Sequence, residues 1–239
     1  MAATIDSAMV MAAGLGKRMR PLTATRPKPL VKVAGKPLID HSFDRIEEAG
    51  IGRVVVNVHY LADALEAHLR GGNRRFETIV SDERSQLLET GGGLVRAAPL
   101  LRGEPILCVN SDNIWTDGPT GAIRLLAERW DDAAMDALLL CVPLARATGH
   151  KGRGDFHMDK NGLLRRRSPG RMAPFVYTGV QLFSRRLIAD PPGDAFSTMV
   201  FWERAIAAGR LYGLSHQGQW FDVGTPEAIP LVEAGLANG

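Results

Sequence analysis

Residues 12–31 read A-A-G-L-G-K-R-M-R-P-L-T-A-T-R-P-K-P-L-V, and the run ending in them, Ala8–Ala13 (A-M-V-M-A-A), has the length and apolarity of a buried strand. Glycines directly after a strand let the backbone turn tightly and bring its N–H groups up to phosphate oxygens. Lys17, Arg18 and Arg20 add positive charge along the same loop. Two familiar phosphate loops are excluded. A dinucleotide fingerprint needs a glycine three positions after Gly16, where Met19 stands; a Walker-type loop needs Lys followed by Ser or Thr, whereas Arg18 follows Lys17. Pro27 and Pro29 then flank Lys28, which fixes the local backbone and predicts an extended conformation for the lysine. Taken alone, the stretch says that a phosphate is held at the end of the first strand.

Outward from this loop, short apolar runs alternate with helical patterns. Pro37–Ala49 predicts a helix with Leu38, Phe43 and Ile46 on one side, and Arg53–Val58 (R-V-V-V-N-V) a β-branched strand. Residues 61–69 read as a helix, 76–80 as a strand, 91–101 as a helix and 105–110 as a strand. A helix over about 120–130 and a strand over 135–142 close the series. Repeated strand–helix–strand units predict an α/β fold with a mainly parallel mixed sheet covered on both faces, its ligand at the carboxyl ends of the strands. The pattern then changes. Arg153–Leu164 and Pro174–Phe183 read as strands separated by the basic loop Arg165–Arg171, followed by a helix over 196–208, strands near Leu211 and Trp220, and a helix after Pro226. The expectation is a single domain over residues 1–239. In it, about 1–145 form the first part and about 146–239 a small α+β lobe laid over it.

Composition bounds the function. The 239 residues are 45% hydrophobic and 23% charged, as in ordinary globular chains. A formal net charge of +3 is too small a surplus to argue for nucleic acid, yet it suits a phosphorylated substrate. Cys108 and Cys141 lie in apolar runs with no disulfide or metal spacing, which predicts buried thiols and a reducing compartment. The first residues lack a signal-peptide pattern, and no run reaches the roughly 18 apolar residues of a membrane helix, so a cytoplasmic location with no membrane partner is expected.

Two carboxylates stand far apart in the chain. Asp112 follows the strand P-I-L-C-V-N, and Asp222 sits in W-F-D-V-G-T-P. Magnesium favours one or two carboxylates completed by phosphate oxygens and water, so these aspartates suit a metal–triphosphate complex if folding brings them together.

G-L-G-K-R-M-R-P-L-T, R-P-K-P-L-V and A-G-K-P-L-I together resemble the N-terminal signature of the sugar-1-phosphate nucleotidylyltransferases, and the resemblance extends over essentially the whole chain. It implies a Rossmann-like nucleotidyltransferase fold, Mg2+ as cofactor, and a shared reaction. In that reaction the phosphate of a sugar 1-phosphate attacks the α-phosphate of a nucleoside triphosphate and pyrophosphate leaves.

By position, the resemblance assigns Ala12, Ala13, Gly14, Leu15 and Gly16 to the triphosphate, Arg18 to developing charge, and Lys28 to the phosphates in transfer. Asp112 and Asp222 become metal ligands. Ser111 stands where the family usually has glycine, which leaves the backbone around Asp112 in question. Glu83 becomes a base contact, and Glu89 with Gly91 and Gly92 a backbone cradle for base and ribose. Asn110, Gly154, Asp155, Thr178 and Gly179 fall on the sugar-phosphate side. L-E-T-G-G-G, G-R-G-D-F and D-V-G-T together look most like the N-acetylmuramate-1-phosphate uridylyltransferases of cell-wall recycling, which implies UTP as donor. The Glu-Lys-Pro motif common in related enzymes is missing; residues 165–171 supply positive charge nearby, with a solvated basic loop as the plainer reading.

Other acceptors (mannose or glucose 1-phosphate, phosphocholine) with GTP, dTTP or CTP stay open at this point. So does a catalytically silent nucleotide-binding regulator, although retention of Arg18, Lys28, Asp112 and Asp222 argues against it. The absence of hexapeptide repeats disfavours a bifunctional acetyltransferase. The oligomeric state is left open.

Overall fold

The structure, a computed structural model, describes residues 2–237. Strand β1 (Ser7–Met11) leads into the glycine loop, then a small hairpin, β2 (Lys32–Val33) and β3 (Lys36–Pro37), and helix α1 (Leu38–Glu48). Next come β4 (Arg53–Val58), α2 (Ala62–Gly71), β5 (Glu77–Asp82) and α3 (Glu89–Ala97). They are followed by β6 (Ile106–Asn110), β7 (Asn113–Trp115), α4 (Ala122–Arg129) and β8 (Ala137–Pro143). The last third holds β9 (Ala147–Thr148), β10 (Phe156–Met158), β11 (Leu164–Arg166) and β12 (Phe175–Phe183). It ends with α5 (Met199–Ala207), β13 (Leu211–Ser215), β14 (Trp220–Asp222) and α6 (Ala228–Ala237).

One sheet runs β11-β10-β12-β6-β1-β4-β5, with β8 beside β12 and β13 beside β8. Alternate residues of its strands enter two different cores, as the two-residue period requires. Ala8 and Val10 of β1, Val54 and Val56 of β4, and Leu107 and Val109 of β6 pack under α1, α2 and α4. Met9, Val55, Ile106 and Cys108 face the opposite way, under α3 and α5. Strands apolar on both faces are stable only in this sandwiched position. Both cysteines are buried and free; burial pushes the Cys108 thiol up to about 12 and the Cys141 thiol further. Among the described residues no helix is long and apolar enough to cross a membrane.

The sheet is mixed. Strands β5, β4, β1 and β6 are parallel, β12 runs antiparallel to both β6 and β8, and β13 is parallel to β8. The last third therefore does not lie over the first as a separate layer. Val180 and Leu182 of β12 enter one core and Phe183 the other, so this strand belongs inside the sheet.

Four local expectations change. Arg153–Leu164 is not one strand, because Asp159 accepts the N–H groups of Asn161 and Leu163, and Gly162 takes φ +91, turning the chain between β10 and β11. Arg165 and Arg166 therefore lie in strand β11, not in a loop. The third helix starts at Glu89 and passes into a 3-10 turn at Ala98–Leu100, where Pro99 has no N–H to offer. Lys28 opens a 3-10 turn and is not extended, with Leu30 N–H donating to Pro27 and Val31 N–H to Lys28.

A third, smaller core decides the site. Met19 from the glycine loop, Val31 and Val33 after the proline clamp, Ile114 of β7, Phe221 and Val223 around β14, and Val232 of α6 form one buried cluster. Each of the chain segments bearing Arg18, Lys28, Asp112 and Asp222 thus contributes an apolar anchor. Burying such a side chain stabilises by about 1.5–3 kcal/mol. Met19, the residue that rules out the dinucleotide fingerprint, is fully buried here.

Candidate active site

Parallel pairing sets Met11 beside Asn110, so the glycine loop and the Ser111-Asp112 segment leave the sheet at the same edge. Ser111 does not disturb this junction. Its N–H and its hydroxyl both donate to the Met11 carbonyl, at 3.1 and 2.8 Å. The Ala12 N–H donates to Asn57 Oδ1 at 2.6 Å, which ties the loop's start to β4. Gly16 takes φ +60, a left-handed conformation that disfavours other residues, and its carbonyl accepts from the Thr23 hydroxyl at 2.8 Å. Ala12 and Ala13 are buried, Leu15 and Gly16 half-buried, and Gly14 and Arg18 exposed.

The two distant aspartates meet across a short sheet. β14 pairs antiparallel with β7, placing Asp222 opposite Asn113, the residue after Asp112. Lys28, largely buried, brings its Nζ to 2.7 Å from Asp112 Oδ2. Beside them, a Cβ added to Gly224 would lie 3.1 Å from both Asp222 Oδ1 and an Arg18 guanidinium nitrogen. Gly14, Arg18, Lys28, Asp112 and Gly224 share one crevice of about 250 Å3. It adjoins a cavity of about 420 Å3 bounded by Ala12, Ala13, Gly14, Glu89, Asn110 and Asp112. Among the described residues no three His, Cys, Asp or Glu side chains form a closed metal cage. One hard carboxylate in an open crevice, with a second beside its Gly224 wall, matches magnesium's preference for completing its shell with phosphate and water.

Several expected contacts do not reach this cavity. Glu83 is fully buried and accepts from Asn57 Nδ2 at 2.8 Å, so it braces the Asn57–Ala12 contact from behind; burial pushes its carboxyl above the ordinary value. Gly91 and Gly92 offer no free cradle, since both N–H groups donate to the Phe196 carbonyl at 2.8 and 3.3 Å. A Cβ at Gly91 would come within 2.5 Å of the Phe196 ring, and one at Gly92 within 2.0 Å of the Asp194 carbonyl. Those glycines admit a chain segment. Glu89 alone of that group borders the cavity, exposed and held at φ +58.

On the expected sugar side, the Thr178 hydroxyl is buried and donates to the Leu140 carbonyl at 2.8 Å, so it is not available to a ligand. Gly154, at φ +77, approaches the Ala173 carbonyl closely, where a Cβ would be 2.0 Å away. Gly179 sits in the irregular part of β12 at φ +85, where only a residue without Cβ can pass Asn110 and Asn113. Both glycines shape the backbone. Asp155 Oδ2 accepts the Tyr177 N–H at 2.9 Å and borders a second cavity of about 510 Å3 with Arg166, Arg167, Tyr177, Met199 and Trp202. Arg167 is pinned by donating to the Gly154 and Arg171 carbonyls, so part of the basic run is a built wall. The aromatic members Tyr177 and Trp202, 4.8 Å apart edge to face, carried no sequence signal because each reads as ordinary core. Asn57 was equally silent, a lone polar residue in a β-branched strand.

The family model described as "Nucleotidyl transferase" matches residues 7–150. The N-acetylmuramate alpha-1-phosphate uridylyltransferase of Caulobacter vibrioides is 44% identical over 234 residues, covering 97% of both chains. The protein of the same name from Neisseria meningitidis serogroup B is 33% identical over 220 residues, 91% of this chain and 93% of that one. In fold, the inositol-1-phosphate CTP transferase from T. maritima superposes with a TM-score of 0.80 at 15% identity, covering 99% of this chain and 97% of that one. Family match, full-length relatives and fold agree: the chain belongs to the nucleotidyl transferase family, among its sugar-1-phosphate nucleotidylyltransferases.

Proposed function

We propose that the protein transfers a uridylyl group from UTP to N-acetylmuramate 1-phosphate, forming the nucleotide sugar and releasing pyrophosphate. The observation that carries the reading is the gathering of Arg18, Lys28 and Asp112 in one crevice beside the glycine loop, with Asp222 next to its Gly224 wall. The choice of base and sugar follows the names of the two full-length relatives.

An acceptor phosphate oxygen forms the new bond to the α-phosphorus while the α–β bridging bond breaks and pyrophosphate departs. The acceptor is already a competent nucleophile, so positioning and charge stabilisation supply the rate. In this reading the backbone of residues 12–16 cradles the triphosphate, and Arg18 and Lys28 bear positive charge toward the transferred and departing oxygens. Asp112 and Asp222 would hold Mg2+, which would supply positive charge against the phosphates in transfer. Asn110, which borders the cavity beside the crevice, contacts the acceptor phosphate. Asp155, Arg166 and Arg167 border the cavity that takes the acceptor's sugar, and Tyr177 with Trp202 gives it an apolar wall. Such a role fits a cytoplasmic enzyme of peptidoglycan recycling.

Pyrophosphate release, measured for a panel of nucleoside triphosphates against sugar 1-phosphates with Mg2+ or EDTA, tests the proposal. UTP with N-acetylmuramate 1-phosphate is expected to give the highest kcat/KM, abolished by EDTA. Preference for another pair overturns the substrate assignment, and undiminished turnover in EDTA overturns the metal.

A further inference from the structure

The segment after β8 is drawn tightly against β14. β9 pairs parallel with β14, with Trp220 opposite Ala147 and Phe221 opposite Thr148. Gly149 follows at φ +82, where an added Cβ would lie 2.7 Å from the Asp222 carbonyl, so only glycine lets the chain pass this close. The next residue is His150. Its Nδ1 stands 3.5 Å from Asp222 Oδ2, and its ring tilts against Trp220 at 6.3 Å. Its other nitrogen, Nε2, is buried with no hydrogen-bond partner, closed off by Gly152, where a Cβ would be 2.3 Å away.

This environment selects a tautomer. A proton on Nε2 would be a buried donor without an acceptor, the rarer and costlier defect; a proton on Nδ1 has the Asp222 carboxylate 3.5 Å away. The two oxygens of Asp222 are thereby divided. Oδ2 faces His150, while Oδ1 lies on the side of Gly224 and Arg18, toward the crevice.

We infer that His150 is a positioning residue whose Nδ1–H orients the Asp222 carboxylate so that Oδ1 is presented to the metal–nucleotide complex. The inference rests on the reading of Asp222 as a metal ligand. Ligating carboxylates are held by outer hydrogen bonds, and loss of such a partner costs about 10–100-fold in metal affinity or activity. His150 itself does not reach the ligand, because its free nitrogen faces the backbone of Gly152.

Calorimetric titration of the Mn·UTP complex, and separately of UTP in EDTA, into wild type, His150→Phe, His150→Asn and Asp222→Asn tests the inference without turnover. Phenylalanine keeps the ring against Trp220 and removes the donor; asparagine keeps a donor near the Nδ1 position. His150→Phe is expected to weaken Mn·UTP about 10–100-fold while leaving metal-free UTP unchanged, and His150→Asn to recover most of the loss. Wild-type Mn·UTP affinity in a folded His150→Phe overturns the inference. So does equal weakening of both UTP forms, or a folded His150→Asn that binds Mn·UTP poorly; the asparagine variant decides alone if phenylalanine prevents folding. Asp222→Asn separates the two levels. If it binds Mn·UTP like wild type, the metal reading falls; if it fails to bind while His150→Phe is normal, only the role of His150 falls.

Discussion

Lys28 and Asp112, 84 positions apart, form an ion pair of 2.7 Å at the sheet edge where β1 and β6 end. The lysine is more enclosed than its partner, with side-chain exposures of 11% and 31%. In the proposed reaction this enclosed cation is a charge-stabilising donor. Lys28→Ala is expected to lower kcat by at least about a hundredfold in pyrophosphate release, the scale of one lost charge-stabilising donor. Its far-ultraviolet circular dichroism should match wild type. Near-normal turnover would remove Lys28 from the mechanism.

Two glycines should respond oppositely to alanine. A Cβ at Gly14 meets nothing within 4 Å, whereas one at Gly92 would be driven into the Asp194 carbonyl. Gly14→Ala is expected to unfold within about 0.5 kcal/mol of wild type in urea, yet to bind UTP more weakly because its methyl group obstructs the backbone's approach to phosphate. Gly92→Ala should lose about 1–3 kcal/mol from overpacking. Equal stabilities for the two variants would contradict the packing role given to Gly92.

Met19 joins the glycine loop to β7, β14 and α6 through one buried cluster. Met19→Ala should cost about 2–5 kcal/mol in denaturant unfolding, as buried methionines do. Because Arg18 and Asp222 are sequence neighbours of cluster members, the folded fraction should also show a raised KM for UTP. A stable variant with an intact KM would mean that this cluster does not set the site.

Glu83 gives a pH signature. Burial raises its folded value above the ordinary one, so the fold favours the protonated carboxyl. Its contribution to stability is full below the unfolded value and is lost as pH rises through the folded value. Glu83→Gln keeps an acceptor for Asn57 without the charge. The stability of this variant relative to wild type should therefore increase as pH climbs above the ordinary glutamate range, read from urea midpoints at several pH values. A pH-independent difference would show that Glu83 is not strained by ionisation.

The sequence by itself determined the alternation of the main strands and helices through residue 143, the glycine turn after β1, and the four charged residues proposed for the chemistry. These are local signals: apolar period, glycine after a strand, proline around a lysine. It did not determine which polar residues face the cavity. Glu83, Gly91, Gly92 and Thr178 all sit in segments that flank the site, but hydrogen bonds to Asn57, Phe196 and Leu140 turn them inward. Nor could spacing place Asp222 near Asp112. That depended on the β7–β14 register, which is set by Ile114 and Phe221 sharing a core with Met19. Position relative to a strand is written locally in the chain. The direction a side chain takes is decided by what packs against it, and those partners come from anywhere in the sequence.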